Sequence, residues 1–337
     1  MRIVITGGFG FVGTLLAREL LARGTFRGER IDTLVLADRF VRRGDPLVGD
    51  PRVTVAEGDI AALADDLFGA RVDAVFHLAA AVSAECEADF DLGMGANLDS
   101  TRVLLDAARR QHATTGQLAT VLLASSVAVF GSDPALPLSE VVSEATLPTP
   151  QSSYGVQKFA SELLVADYTR KGFLDGRVAR LMTVAIRPGK PNAAASGFVS
   201  GIVREPLAGI ATVCPVDPAL ALAIASPRTT VAGILAVAQA PRGSGPGELS
   251  GRIPVNLPAL TVTVAELLDT LRHVAGDAVA DLVTLRRDEA IEAIVGSWPA
   301  RFDNARAAAL GLAADPDAES VVRQFVADNA DAVVAGC

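Results

Sequence analysis

A glycine-rich turn between a short β-branched run and a helical pattern most constrains the fold of this chain. The run Arg2–Thr6 is typical of a buried strand, and the turn after it contains Gly7, Gly10 and Gly13. Over Phe11–Arg23, apolar residues recur at helical spacing. A strand that enters a helix through such a turn is typical of the first unit of a doubly wound, dinucleotide-binding sheet.

The same alternation continues through the first half of the chain and predicts an α/β, Rossmann-like doubly wound parallel sheet. Further strands are predicted at Thr33–Ala37, Arg52–Ala56, Ala74–His77, Val121–Ser125 and Val184–Arg187, and helices at Ala96–Arg110 and Tyr154–Thr169. After Arg187 prolines punctuate the chain, which predicts a smaller C-terminal substrate-binding domain. Helices are expected there over Leu222–Ala240, Thr263–Ala275 and Glu319–Asn329. We expect residues 1–189, rejoined by about 222–240, to form the cofactor-binding domain, and residues 190–221 and 241–337 to form the cap.

Composition excludes several classes of protein. Of the 337 residues 50% are hydrophobic and 20% charged, which is typical of a folded globular chain. The net charge of −9 without a Lys/Arg cluster argues against nucleic acid or a membrane surface as partner. Without a signal-like segment after Met1 or a membrane-length apolar run, we expect a cytoplasmic protein. Cys86, Cys214 and Cys337 are far apart, which argues against a disulfide framework or a zinc site, and we predict no metal.

Each glycine of the turn has a physical role in holding a pyrophosphate. Gly7 permits the tight turn, Gly10 lets the backbone approach the phosphates, and Gly13 lets the helix pack closely on the strand. Backbone N–H groups and the positive end of the helix dipole lie where Phe11 and Val12 begin the helix. These five residues are therefore predicted to bind the cofactor.

Asp38, at the tip of the second strand, indicates which dinucleotide binds. A carboxylate there accepts hydrogen bonds from ribose hydroxyls and repels a 2′-phosphate, which favours NAD over NADP. Arg39 could instead pair with that phosphate, but Asp38 occupies the strand end itself, so we predict NAD. His77 is expected to be a packed strand-end histidine. Other residues at strand ends are predicted to lie along the cofactor: Asp59, Ile60, Leu78, Ala79 and Ala80.

The catalytic prediction rests on Tyr154 and Lys158. The chain has only two tyrosines and three lysines, so chance would give about 0.02 matches to YxxxK. Residues four apart share one face of a helix, so Lys158 can lower the pKa of the Tyr154 phenol from its usual value of about 10. Tyr154 then becomes a general base. Ser126, at the end of the fifth strand, is placed to polarise the reacting hydroxyl.

The motifs TGGFGFVG, HLAA, SSVAVFG and YGVQK resemble, in order and spacing, those of the extended short-chain dehydrogenases, the NAD-dependent epimerase/dehydratase family. The resemblance implies a triad of Ser126, Tyr154 and Lys158. It also implies a structural and proton-relay role for Asn97, although an asparagine at this position could instead serve only to kink the helix. The resemblance further implies a homodimer built from the helices near 96–110 and 154–169. Phe130 replaces a tyrosine usual in the family, which predicts a packing position. Asn97, Tyr154, Lys158 and Pro188 are assigned to the cofactor site.

The segment after the predicted sixth strand indicates an acidic substrate. Epimerases of this family commonly have an asparagine where this chain has Lys190, and a cation suits a carboxylate. Arg228 is a second candidate for that role. The other predicted substrate contacts are Ser83, Ser126, Tyr154, Asn192 and Ser196.

The second half of the chain, with RPGKPNAAASG, SGIVREPLAG and ASPR, resembles the D-erythronate dehydrogenases, one branch of this family. That resemblance implies NAD-dependent oxidation of a short sugar acid, D-erythronate, to 2-oxo-erythronate. A nucleotide-sugar 4-epimerase with tightly held NAD remains an alternative, since it uses the same triad. A non-catalytic dinucleotide-sensing protein is a further alternative, although such proteins often lack the tyrosine or lysine.

Overall fold

The computed structural model describes residues 1–189 and 194–334. The strands of this part of the chain are β1 (Arg2–Thr6), β2 (Thr25–Phe26), β3 (Glu29–Arg30), β4 (Thr33–Asp38), β5 (Val53–Glu57), β6 (Ala74–His77), β7 (Thr120–Ser126), β8 (Asp175–Leu181), β9 (Thr183–Val184), β10 (Thr212–Cys214), β11 (Ala221–Ala225), β12 (Val255–Asn256), β13 (Leu260–Thr263) and β14 (Val283–Leu285).

The α-helices are α1 (Phe11–Arg23), α2 (Ile60–Leu67), α3 (Ser83–Ala88), α4 (Phe90–Gly93), α5 (Ser100–Thr115), α6 (Ser153–Arg170), α7 (Gly197–Leu207), α8 (Pro227–Gln239), α9 (Val264–Ala275), α10 (Asp277–Ala280), α11 (Glu289–Gly296), α12 (Ala305–Ala308) and α13 (Ala318–Asp328). A π-helix, Met94–Asp99, precedes α5, and 3₁₀ turns lie at Pro46–Gly49, Val127–Val129 and Ala330–Ala332.

The central sheet has seven strands in the order β12-β8-β7-β6-β1-β4-β5. Every pair in it is parallel. From β1 the chain builds outward through β4 and β5 on one side and through β6, β7, β8 and β12 on the other. This is the doubly wound topology that the sequence predicts, so the predicted fold class is confirmed, and the order reverses between β1 and β6.

Apolar cores lie on both faces of the sheet. One core includes Leu16 and Leu20 of α1 and Ile234 of α8. The other includes Leu104 of α5 and Val165 of α6. Helices on both faces cover the central strands, and the inner strands β1, β6 and β7 have largely apolar sequences.

The C-terminal part of the chain has its own core. Ile202 of α7, Leu267 of α9 and Phe325 of α13 pack together there. Two small sheets, β13-β11-β9 and β10-β14, complete this region. Because β9 follows β8 directly and pairs with β11, the C-terminal core is attached beside the carboxyl ends of the central strands.

Most predicted elements occur within one or two residues of their predicted ends, but three predictions are wrong. The sixth strand of the sheet is β8, Asp175–Leu181, and not Val184–Arg187, of which only Val184 is in a strand. The stretch 222–240 is a strand and a helix, β11 and α8. The predicted helix over Ala96–Arg110 begins as a π-helix and continues as α5 to Thr115.

The boundaries of the two domains stay a prediction, with one change required by the sheet. Val255 and Asn256 lie in the segment predicted as cap, yet they pair with Ala179 and Arg180 of β8. Helix α8 packs on β7 and β8, as expected for the returning segment. Within residues 1–189 and 194–334, no helix has the length and apolar character needed to cross a membrane.

Candidate active site

A crevice of about 710 Å³ opens at the carboxyl ends of the central strands, where the strand order reverses. Most of the residues that the sequence singles out lie along it. The predicted residues that line the crevice are Gly7, Gly10, Phe11, Val12, Gly13, Asp38, Asp59, Ile60, Leu78, Ala79, Ala80, Ser83, Ser126, Tyr154, Lys158 and Ser196.

The glycine turn has no room for side chains. Gly7 has a φ of +68°, and a Cβ there would lie 2.8 Å from the Ala79 nitrogen. A Cβ on Gly13 would lie 2.1 Å from the Gly7 oxygen, so α1 can approach the turn only without one. Gly10 is the N-cap of α1 and contributes no side-chain cap. The first N–H groups of α1 therefore face the crevice unblocked, as an anion-binding site requires.

Asp38, the last residue of β4, hydrogen-bonds to the glycine turn. One carboxylate oxygen accepts from the Phe9 N–H at 2.9 Å, and the other accepts from the Phe40 N–H at 3.2 Å. Arg39, the residue that could have bound a 2′-phosphate, instead forms an ion pair with Asp59 at 3.1 Å. The crevice therefore presents the Asp38 carboxylate, while the neighbouring cation already has a partner.

Ser126, Tyr154 and Lys158 come together at the middle of the crevice. Helix α6 begins at Ser153, so Tyr154 is in its first turn and Lys158 is one turn further. The Lys158 ammonium lies 5.8 Å from the centre of the Tyr154 ring and donates to the Ala124 carbonyl at 2.9 Å. The Tyr154 phenol lies beside the Ser126 side chain, which acts to lower the phenol pKa. The structure thus brings the predicted catalytic residues into one group.

Burial controls the protonation of this group. Burial raises the pKa of Tyr154 to about 12, against the opposing effects of the Ser126 side chain and the Arg187 charge. Burial lowers the pKa of Lys158 to about 8. The prediction that the pKa of the phenol lies below its usual value of about 10 is therefore wrong for this structure, because desolvation outweighs the nearby charges. The ammonium is bound to a carbonyl instead of the phenol.

Two described residues predicted at the site do not line the crevice, and a third acts from behind it. Pro188 is exposed and is absent from the crevice wall. Arg228 lies on the surface, 65% exposed, in an ion pair with Asp328 of α13. Asn97 is buried, accepts from the Ala81 N–H at 2.8 Å and donates to Gln157 at 2.8 Å. It therefore joins the loop after β6 to α6 as a bracing residue within the π-helix.

Lys190 and Asn192 lie outside the described residues, as does Cys337. Cys86 and Cys214 are buried free thiols. His77 is buried, hydrogen-bonds to Thr6 and Thr101, and has a pKa lowered to about 3 by burial, as a packed histidine should. In the part of the chain that the structure describes, no cluster of His, Cys, Asp and Glu could hold a metal.

Arg187 and Trp298 line the crevice and were not predicted. Arg187 had a sequence signal, since it precedes Pro188 and Gly189 at the end of an apolar run. The sole tryptophan, Trp298, had none, because it reaches the crevice from the C-terminal part by packing against a small apolar cluster that includes Met182. Phe130, as predicted, is a packing residue, with the Phe302 ring centroid at 6.1 Å.

A glycine turn on the first strand of a doubly wound sheet, facing a Ser–Tyr–Lys group across one crevice, defines a Rossmann-fold oxidoreductase that uses a nicotinamide dinucleotide. A sequence profile of the NAD dependent epimerase/dehydratase family matches residues 3–215. The chain belongs to this family.

Relatives of known sequence and structure extend over nearly the whole chain. D-erythronate dehydrogenase of Cupriavidus necator is 48% identical, over 97% of this chain and 98% of that protein. D-erythronate dehydrogenase of Haemophilus influenzae is 44% identical, over 97% of this chain and 99% of that protein. A structure described as the nucleoside-diphosphate-sugar epimerase from Agrobacterium tumefaciens superposes with a TM-score of 0.88 and 37% identity, covering 98% of this chain and 95% of that one.

These findings confirm that the protein is an enzyme, an oxidoreductase that acts on a small molecule with a nicotinamide dinucleotide.

Proposed function

We propose that this protein oxidises D-erythronate to 2-oxo-erythronate with NAD. The observation that carries the proposal is the position of Arg187, which lines the crevice near Tyr154 and forms no ion pair with any carboxylate in residues 1–189 and 194–334. A cation without a partner beside a hydroxyl-oxidising group suits a substrate that carries both a hydroxyl and a carboxylate. The names of the two relatives above support the same substrate.

Helix α7 fixes Arg187 in place. The Arg187 N–H donates to Ser200 at 3.0 Å, and the Arg187 carbonyl accepts from Arg204 at 2.7 Å. Burial, together with the charge of Arg204, lowers the pKa of the Arg187 guanidinium, which an anion entering the crevice would reverse. Ser196, the N-cap residue of α7, also lines the crevice, so the positive end of that helix dipole adds to the attraction. We assign the substrate carboxylate to Arg187 in place of Arg228.

In the proposed reaction Tyr154 takes the proton of the substrate hydroxyl. As that O–H bond breaks, the C–H electrons leave the same carbon as hydride and the C–O bond becomes a carbonyl. Ser126 holds the reacting oxygen beside the phenol, and Lys158 stabilises the phenolate. Bound NAD supplies the nicotinamide ring that accepts the hydride, and the positive charge of that ring favours the phenolate.

The pKa of Lys158 is lowered to about 8 and that of Tyr154 is raised to about 12, so Lys158 loses its proton first as the pH rises. The reactive form, phenolate beside ammonium, has one proton fewer than the fully protonated pair. It is therefore a minor form that exists between these two pH values. Activity at alkaline pH follows directly from this arrangement.

The residues that line the crevice are suited to bind NAD. The unblocked N-terminus of α1 would hold the pyrophosphate, and Asp38 would accept from the adenosine ribose. Arg39 forms an exposed ion pair with Asp59, so a 2′-phosphate there would have to compete with that carboxylate as well as with Asp38. We therefore propose NAD and not NADP as the cofactor.

We further propose a homodimer through α5 and α6. Val156 and Leu163 lie seven residues apart on one face of α6 and are 51% and 57% exposed. Two large exposed apolar side chains on one helix face are what a second copy of the chain would cover. Sedimentation of wild type and of Leu163→Arg tests this, since a charge at a dimer face should give monomers.

The alternative is a nucleotide-sugar epimerase, favoured by the description of the solved structure at 37% identity. The two functions differ in cofactor turnover. Purified protein with NAD and D-erythronate should accumulate NADH absorbance, whereas an epimerase shows no net reduction with any substrate. Absence of NADH with D-erythronate, together with interconversion of UDP-glucose and UDP-galactose, would replace the dehydrogenase by the epimerase.

A further inference from the structure

A buried ionic cluster lies directly behind the catalytic group. The Glu162 carboxylate accepts from Ser125 Oγ at 2.5 Å and from Arg180 at 2.9 Å and 2.7 Å. Ser125, Glu162 and Arg180 are each no more than 3% exposed. We call Ser125, Glu162 and Arg180 the rear cluster. A fully buried ion pair is costly to desolvate, so its presence is seldom explained by stability alone.

The rear cluster joins the elements that carry the catalytic residues. Glu162 is on α6, one turn beyond Lys158 and two turns beyond Tyr154, so all three face the same side of the helix. Ser125 is at the end of β7, next to Ser126, and Arg180 is on the neighbouring strand β8. Lys158 adds a second tie to the same strand end through the Ala124 carbonyl. Any shift of α6 along β7 would break both ties.

Glu162 also supplies the negative charge that faces Lys158. Three other titratable groups lie near Lys158. The Tyr154 ring centre is 5.8 Å from the ammonium, and His77 on β6 and Cys86 on α3 interact with its charge. Burial raises the pKa of Tyr154 and Cys86 and lowers that of His77, so all three are neutral near pH 7. Among the described residues, the carboxylate opposite the ammonium is therefore that of Glu162, whose charge raises the Lys158 pKa.

We propose that Glu162 is a positioning residue for catalysis, which ties α6 to the end of β7 so that Tyr154 and Lys158 face Ser126, and which provides the counter-charge for the Lys158 ammonium. Arg180 holds Glu162 in register and is itself held over the Phe130 ring, 4.7 Å from its centre. Since Glu162 is absent from the crevice wall, it acts through its neighbours.

The test compares kcat/KM against pH for wild type and Glu162→Gln, and it rests on the proposed oxidation of D-erythronate. Removing the carboxylate lowers the Lys158 pKa, so the alkaline rise of kcat/KM should move to lower pH by about 0.5–1 unit. The reactive form becomes rarer by the same factor, so the plateau should fall about threefold to tenfold. The KM for NAD should change less than about twofold, because the glycine turn is not part of the rear cluster.

A second pair of variants separates positioning from folding. Glu162→Gln leaves Arg180 buried without its partner and can unfold the protein. In Glu162→Gln/Arg180→Met both charges are gone, and the displaced pH profile should persist in a folded, NADH-binding protein. Ser125→Ala keeps the ion pair and removes the tie to β7, so kcat should fall severalfold without a displaced profile. Asp167→Asn is the matched control, since Asp167 forms an exposed pair with Arg170 on the same helix.

If the double variant and Ser125→Ala both kept the wild-type pH profile and kcat, the proposal would be overturned. The rear cluster would then have a structural role only. Inactivity of the wild type itself with D-erythronate would instead refute the proposed substrate. The same variants would then be compared on the sugar acid that the wild type does oxidise.

Discussion

Replacing Arg187 by methionine is the most direct test of the substrate assignment. Methionine keeps most of the side-chain length and removes the charge and the donors. Hydrogen bonds between a guanidinium and a carboxylate contribute about 1.5–3 kcal/mol, and leaving one charge buried without its partner costs about 2–5 kcal/mol. Because Arg187 is half-buried and the crevice is open at one side, the lower half of the second range applies, about 3 kcal/mol. At about 1.4 kcal/mol per factor of ten, kcat/KM for D-erythronate should fall about 150-fold.

The loss of kcat/KM in Arg187→Met should come from both a higher KM and a lower kcat. KM should rise because the carboxylate loses its partner, and kcat should fall because Arg187 also opposes the high pKa of Tyr154. Arg187→Lys keeps the charge without the planar fork, so we expect a loss of about tenfold. NADH binding by fluorescence titration should be unchanged in both variants.

Arg228→Met is the matched control, since it removes an equal charge from an exposed pair with Asp328. Its kcat/KM should stay within about twofold of wild type. With the neutral polyol erythritol as substrate, kcat/KM should differ between Arg187→Met and wild type far less than it does with D-erythronate. A normal kcat/KM for Arg187→Met, or a large loss for Arg228→Met, would refute the assignment of the carboxylate to Arg187.

Four further predictions follow from the site. Tyr154→Phe should abolish NADH formation while NAD affinity by calorimetry stays near wild type, and residual turnover would remove the phenol from the mechanism. In free enzyme kcat/KM should rise with pH up to about 8 and then level off, since the pKa of Lys158 is lowered to about 8 and that of Tyr154 is raised to about 12; a fall between pH 8 and 10 would contradict this sign. Asp38→Asn should reduce the preference for NAD over NADP about tenfold or more in paired kinetic assays, and an unchanged ratio would exclude the carboxylate as its cause. Gly13→Ala should weaken NAD binding at least tenfold and lower the melting temperature, because the added Cβ would lie 2.1 Å from the Gly7 oxygen; wild-type affinity would show that α1 can shift without cost.

The parts of the site that lie close together in sequence could be predicted. β1, its glycine turn and α1 are consecutive, so periodicity and three glycines were enough to place Gly7, Gly10 and Gly13. Tyr154 and Lys158 are one helical turn apart, and Ser126 and Asp38 end strands that the pattern identified. The rule that parallel strands end at one edge then brought all of them to one crevice.

Residues that depend on tertiary packing could not be placed in the same way. Trp298 reaches the crevice from a segment more than a hundred residues beyond α6. The prediction of one helix over 222–240 was wrong although the sequence marks the true start of the helix. Ser226 and Pro227 are typical of a helix N-cap and first turn. These two residues indicate that the helix begins at Pro227, which leaves Ala221–Ala225 as a strand.

Strand β8 was not predicted because charged residues interrupt its apolar pattern. Its sequence, Asp-Gly-Arg-Val-Ala-Arg-Leu, has charges where a central strand is expected to be apolar, so the pattern did not predict a strand. Arg177 is neutralised by Asp175 and by the carbonyls of Val237 and Ala240, and Arg180 by Glu162. A charge is tolerated in such a strand only when distant residues supply its partners, and one of these partners is on the catalytic helix. The break in the hydrophobic pattern therefore occurs where the sheet is tied to the reacting group, which is where local rules are expected to give way to function.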